Sequence, residues 1–259
     1  MKNLIFCTVL FVAMGCKSNV KKTPRMPGAY FMISQTVNDG KKDKKYTDLK
    51  QLKIYTDSFM MYVQVNPGDS VSGFGVGTYT ADTGAVIETR IYSAHDTVIG
   101  KPANFTLYIT NTPAGYTQVI PEISIASQNS KLTEEYQSVG KTQTTPLDGV
   151  WKETKFYIVK GKDTTWGKPI QYKAFYAGYF MFGQTVTDSS GKISTGIGFG
   201  TFEMNGDKKI KETDLNSTYS IIAGNAFDVE FEMNGADNYV QTIHSPDGSK
   251  SVEAYERLK

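Results

Sequence analysis

The sequence predicts an all-β fold, two tandem antiparallel up-and-down barrels of about eight strands each behind an N-terminal leader. Three observations carry that prediction. Aromatic residues make up 12% of the 259 residues, with 16 Tyr, 14 Phe and 24 Gly. Aromatic and β-branched side chains suit a pleated, half-buried surface, and glycine suits turns, bulges and close approaches. The chain also repeats itself: "GFGVGTY" at Gly73–Tyr79 returns as "GIGFGTF" at Gly196–Phe202. Finally, short apolar–polar alternations such as "FTLYIT" (Phe105–Thr110) and "FDVEFEM" (Phe227–Met233) are separated by turn chemistry, and no window has a convincing helical period.

Charge excludes one class of partner. The 28 Lys and Arg balance 26 Asp and Glu, so no net basic field points to nucleic acid.

Residues 1–15 read as a signal peptide. Lys2 gives a positive start, and Leu4 to Met14 is an apolar run too short to span a bilayer as a mature helix. Ala13-Met14-Gly15-Cys16 resembles the lipobox of bacterial lipoproteins. The resemblance implies cleavage before Cys16 and acylation of that residue by chains such as palmitate; the alternative is an ordinary secretory signal. Cys7 would leave with the leader and Cys16 would carry lipid, so the mature chain would have no thiol for a disulfide or for catalysis. Several acyl chains on one residue anchor stably. Residues 16–26 form the lipidated cysteine and a polar, basic tether. In lipoproteins of the Bacteroidetes type, an acidic run after the cysteine marks export to the cell surface. Lys17-Ser18-Asn19 lacks one, which implies the periplasmic face of the outer membrane rather than the surface.

Residues 27–140 and 149–259 form the two copies, joined by a linker at 141–148. Gly28-Ala29-Tyr30 aligns with Gly149-Val150-Trp151, and Gln51–Tyr55 with Gln171–Phe175. Met61 aligns with Met181, Glu88 with Glu212 and Phe105 with Phe227. Tyr116-Thr117-Gln118 aligns with Tyr239-Val240-Gln241, and Glu134–Tyr136 with Glu253–Tyr255. All offsets lie between 119 and 124 residues. A period that long means two complete domains rather than a solenoid. Asn, Asp and Gly supply the hairpin turns, as at Asp82-Thr83-Gly84 and Asn234-Gly235. Closing such a meander removes the sheet edges. In the ladder, Gly73, Gly75 and Gly77 share one strand face, which lets the strand coil tightly and packed neighbours approach. A dinucleotide-binding loop is excluded by the spacing and by the lack of a following helix.

With G-x-W at Gly149-Val150-Trp151 and the ladder midway, each copy resembles the lipocalin-like domains of bacterial lipoproteins. The resemblance implies that Trp151 closes a barrel base with Arg257 packed over it. The first copy has Tyr30 at the Trp place and no Arg after Tyr136, so its base closes differently. Such folds mostly hold small apolar molecules, though some act as enzymes or scaffolds.

Little else carries chemistry. His95 and His244 are unmatched between copies and have no metal-ligand spacing, so each reads as a surface histidine. Lys53, Glu88, Lys173 and Glu212 either face solvent or project inward as the pairs Lys53–Glu88 and Lys173–Glu212, since a lone buried charge is expensive. Tyr62, Phe180 and Phe182, with their aromatic and Met neighbours, either fill a core or line a cavity. No cofactor or metal is expected, and an enzyme would need perturbed polar groups inside a barrel, where only the Lys–Glu pairs are candidates. The sequence therefore points to a non-enzymatic envelope lipoprotein holding a small apolar or amphipathic ligand. The alternative is a filled-barrel interaction module for an envelope protein or glycan. Asp69-Ser70-Val71, Asp96-Thr97-Val98 and Asp163-Thr164-Thr165 resemble the short O-glycosylation signal of exported Bacteroidetes proteins.

Overall fold

A computed structural model describes residues 26–66, 72–95, 98–100, 102–125, 128–168 and 170–259. Cys16, the triplet Asp69–Val71, and Asp96 and Thr97 of the second triplet lie outside the described residues. Asp163–Thr165 is exposed on a short strand. Among the described residues there is no helix.

The first copy contains β1 (Gly28–Asn38), β2 (Asp43–Tyr46), β3 (Lys50–Tyr55), β4 (Phe59–Val65), β5 (Gly73–Asp82), β6 (Ala85–His95), β7 (Val98–Gly100), β8 (Ala103–Thr112), β9 (Gly115–Ile125) and β10 (Gln128–Ser138). Eight of these form the wall in the order β1-β3-β4-β5-β6-β8-β9-β10, and β10 pairs back onto β1 to close it. The second copy contains β11 (Gly149–Lys160), β12 (Asp163–Gly167), β13 (Ile170–Tyr176), β14 (Tyr179–Thr187), β15 (Ile193–Met204), β16 (Lys209–Ser217), β17 (Ala226–Met233), β18 (Asn238–His244) and β19 (Lys250–Arg257). Its eight-stranded wall omits β12 and closes through β11 and β19. The extra strands β2 and β12 each pair on the far half of the first wall strand of their copy, beyond the part that β3 or β13 covers.

Local chemistry sets the corners. The β13–β14 hairpin turns on Ala177 and Gly178, both left-handed with φ of 57° and 92°, the geometry of a two-residue type I′ turn. The ladder is structural on both of its faces. Its glycines point inward, where an added Cβ would lie 2.5 Å from the Tyr62 ring at Gly75 and 2.5 Å from the Phe182 ring at Gly198. A Cβ at Gly77 or Gly200 would collide with the carbonyl of Thr89 or Thr213, and both copies carry a β-bulge at that step. The outer side chains, Phe74 and Val76 in one copy and Ile197 and Phe199 in the other, are almost fully buried.

What covers them is the other barrel. Leu52, Ile54, Phe59, Met61, Val63, Phe74 and Val76 pack with Tyr172, Ala174, Met181, Ile197 and Phe199 in one apolar cluster. Phe31 meets Tyr179 edge-on at 5.6 Å, and Tyr92 lies 5.5 Å from Tyr172 while its hydroxyl donates to Thr185 at 2.9 Å. The Phe74 ring sits on Gly183, where the first copy has Val63 at the corresponding place. Both copies contribute the same patch, with β4 facing β14 and β15 and β5 facing β14 and β15. That is the isologous pattern of a twofold dimer. The linker is also fixed: Val139 N–H donates to Ala29 O at 3.0 Å, Gln143 donates to Phe202 O at 2.6 Å, and Leu147 is buried.

Candidate functional site

Each barrel has a closed base, a charged middle layer and a far rim. At the base of barrel 2, the Trp151 indole N–H donates to Leu147 O at 2.7 Å, and Arg257 lies 4.0 Å over the ring. Cation–π attraction and apolar burial both favour this seal. Arg257 Nη2 also donates to Pro146 O at 2.7 Å, which ties the linker to the base. Barrel 1 uses the same reach with other residues: the Tyr30 hydroxyl donates to Met26 O at 3.0 Å, and the ring packs edge-on to Tyr116 at 4.9 Å. Met26, fully buried, stands where Leu147 stands in barrel 2.

Above the base, Lys53, Glu88, Lys173 and Glu212 all point inward and are at most 7% exposed. Lys53 Nζ lies 2.6 Å from Glu88 and donates to Gln118 at 3.3 Å. Lys173 Nζ lies 2.5 Å from Glu212 and donates to Gln241 at 3.2 Å. The reading of these residues as a solvent face does not hold. A lysine among apolar neighbours survives only with a partner in ideal contact, and each copy supplies one. The network continues to residues that sequence reasoning matched between copies but did not single out. Gln118 donates to Glu134, which also accepts from Gln35 at 2.8 Å and Tyr136 at 3.0 Å. In barrel 2, Glu253 accepts from Gln241 at 2.7 Å, Gln171 at 3.2 Å and Tyr255. Tyr55 donates to Glu88, whereas Phe175 at the same place cannot. Phe175 and Phe180 instead flank the Lys173 ammonium, their centroids 5.0 and 5.3 Å away.

The two copies diverge one step further along. In barrel 1 the inward residues are Met32 and Arg90, and Arg90 donates to the Tyr62 hydroxyl at 3.0 Å and lies 4.0 Å over Phe105. In barrel 2 the matching residues are Glu153 and Asp214, and Phe182 replaces Tyr62. Glu153 is 8% exposed and Asp214 4%. Among the described residues, neither Glu153 oxygen has a hydrogen-bond partner, and neither does Asp214 Oδ1. Burial, with the Glu253 carboxylate adding, pushes Glu153 up to about 8. Burial also pushes Asp214 up to about 7, with Glu212 adding and Lys173 opposing. Sequence reasoning missed both residues because it weighed what the copies share; the signal was the mismatch at otherwise matched inward positions.

These two acids set a pH dependence. Both bind protons more tightly folded than unfolded, so their contribution is fully present below about pH 4, near their unfolded values, and is lost as pH rises through about 7 and then 8. The urea midpoint is expected to fall between about pH 5 and 8.5, and the double variant Glu153→Gln, Asp214→Asn to flatten that slope and gain about 1–3 kcal/mol at the alkaline end. Parallel slopes for both proteins would show that these carboxyls do not titrate in this range.

At the rim of barrel 2, alternation places Phe156, Ile158, Val186 and Ile243 on the inward face, Val186 two residues beyond Gln184 and Ile243 two beyond Gln241. Ile158 and Val186 are 38% and 37% exposed. Tyr219, from the turn after β16, stacks on Phe182 at 6.3 Å, and its hydroxyl donates to Gln184 at 3.0 Å. Two further concavities lie outside the barrels. One of about 310 Å³ is lined by Lys208, Glu230, Phe231 and Val240, and one of about 380 Å³ by Val65, Leu215, Ser217 and Ala223 in the groove between copies. His244 is exposed, 3.4 Å from Glu230. The His95 side chain lies outside the described residues. Among the described residues no group of three or more His, Cys, Asp or Glu is placed to hold a metal.

Fold and site together define a tandem two-barrel β protein with a charged interior layer. No family model matches the chain, and no curated protein matches it. Among solved structures, it is similar to a protein of unknown function from the DUF3598 family of Nostoc punctiforme PCC 73102. The identity is 10% and the TM-score 0.25, over 90% of this chain and 96% of that one. At that TM-score the likeness carries no argument about the site.

Proposed function

We propose that the chain is a non-enzymatic binder that holds a small amphipathic molecule in the upper half of barrel 2. The acyl anchor that Cys16 would provide places it at the periplasmic face of an outer membrane. The observation that supports this reading is the layered interior of barrel 2. Its base is sealed by Trp151, its middle is polar, and its rim is lined by half-exposed apolar side chains facing inward. A molecule with one wet and one apolar end matches that gradient. Barrel 1 is filled by its paired charges and the Tyr30–Tyr116–Tyr136 stack, and acts as the partner that covers the outer ladder face of barrel 2.

Native mass spectrometry of protein extracted from a bacterial envelope, before and after organic extraction, tests the proposal. The expected result is an extra mass that leaves on extraction and is retained by barrel 1 variants such as Tyr62→Phe. A bare mass in freshly extracted protein overturns it in favour of a second reading, a filled scaffold that docks an envelope partner. The tightly packed middle of both barrels and the inter-copy groove at Val65 and Leu215 favour that alternative.

A further inference from the structure

The interiors of the two barrels differ in charge, at two inward positions. Barrel 1 sets Lys53 and Arg90 against Glu88 and Glu134, and each of those carboxylates accepts hydrogen bonds from the protein. Barrel 2 sets the single ammonium of Lys173 against Glu153, Glu212, Asp214 and Glu253. Glu212 is taken by Lys173, and Glu253 by Gln171, Gln241 and Tyr255. Two buried carboxyls are left over, and duplication shows that the fold does not need them, because the same positions in barrel 1 are Met32 and Arg90.

Glu153 is on β11 and Asp214 on β16, four strands apart whichever way the wall is followed, so they stand on opposite walls of the barrel. Asp214 Oδ1 and the Phe182 ring both lie against Gly198, within 2.9 Å of where its Cβ would be, so a carboxylate oxygen and an aromatic ring converge on one spot. Tyr219 stacks on that ring from the rim side. An unpartnered buried carboxyl beside an aromatic ring recognises a cation, by charge-assisted hydrogen bonds from N–H donors and by attraction to the ring face. A metal ion would need more ligands than this wall offers.

We infer that the ligand of barrel 2 is an amphipathic organic amine, its protonated nitrogen held at Asp214 against the Phe182 ring and its apolar part against Tyr219 and the rim, with Glu153 a second unpartnered acceptor on the opposite wall. The inference rests on the binding role proposed for barrel 2 and narrows it to one head-group class. Lys173 does not compete with the amine for the free carboxylate, because its hydrogen bonds go to Glu212 and Gln241. The aromatic lid formed by Tyr219 would close behind the head group.

Titration of the purified chain with dodecylamine, dodecanol and dodecanoate, followed calorimetrically, tests it. The titrations are run at about pH 8.5, where the amine is still protonated and the two acids can ionise. The amine is expected to bind about ten-fold or more tighter than the alcohol, with dodecanoate weakest. Glu153→Gln with Asp214→Asn is expected to erase the preference for amine over alcohol. Because those substitutions remove unpartnered groups, the variant is expected to fold at least as well as the parent. Equal affinity for amine and alcohol, or a preference for the carboxylate, overturns the head-group assignment and leaves the binding role standing. Failure of all three probes to bind overturns the binding role and the head-group assignment together.

Discussion

Lys173→Met is expected to destabilise the protein by about 3–5 kcal/mol, because it removes one member of a buried ion pair. The methionine fits the space, so the loss is electrostatic. Glu212 is left without its 2.5 Å partner, in an interior that also holds Glu153, Asp214 and Glu253. The buried pair itself need not be a large net stabiliser, since desolvating both charges offsets much of their attraction. The double variant Lys173→Met, Glu212→Gln is therefore expected to recover most of the loss. Lys53→Met should cost less, because Arg90 remains as a cation among the barrel 1 carboxylates. Urea denaturation of the four proteins decides the matter. If Lys173→Met alone costs under about 1 kcal/mol, the pair is solvated and the charged layer is not a closed interior.

Phe74→Ala is expected to cost about 3–5 kcal/mol, the range for emptying a buried aromatic site. The ring contributes to no barrel interior. It seats on Gly183 of the other copy, 6.5 Å from Tyr172 and 5.6 Å from Tyr92. The loss should therefore appear as weakened coupling between barrels. Denaturation of the parent is expected to follow one transition, and that of the variant to broaden or split into two. Gly183→Val, which installs the residue the first copy carries as Val63, should clash with Phe74 when made alone. Combined with Phe74→Ala it should recover part of the stability, giving a coupling energy of at least about 1 kcal/mol in a double-mutant cycle. Additive effects would mean that the two positions do not meet.

The strands were legible because turn chemistry and alternation are local. The duplication was legible because the glycine ladder is unusual enough to align on. The spacing showed a bare strand face that neighbours approach; the structure puts the rings of Tyr62 and Phe182 on Gly75 and Gly198 and the bulges at Gly77 and Gly200. The docking of the barrels left a fainter trace. "FMMYV" at Phe59–Val63 and "YFMF" at Tyr179–Phe182 are continuous apolar runs, as expected for strands buried on both faces. Read one strand at a time, they look like cavity lining. In the structure Met60, Tyr62, Phe180 and Phe182 turn inward, while Phe59, Met61, Val63 and Met181 turn to the other copy. The direction of Lys53 and Lys173 was not legible, because a lysine on a strand is usually solvated and only the opposing Glu from a distant strand reverses that. Glu153 and Asp214 required subtraction of one copy from the other, a different operation from alignment.

The patch that joins the copies is the same surface on each, and this has a consequence for assembly. Two separate domains bearing it would meet only as often as their concentration allowed. A linker that spans ten residues, 139 to 148, holds the mates at an effective concentration in the millimolar range before any contact forms. Because the patch satisfies itself, the union uses up both sticky faces and stops at two. The fused chain carries both mates of the pair, and each half is free to lose residues the other keeps. Such an arrangement permits one barrel to remain a solid prop while its twin carries an acid where the prop carries an arginine.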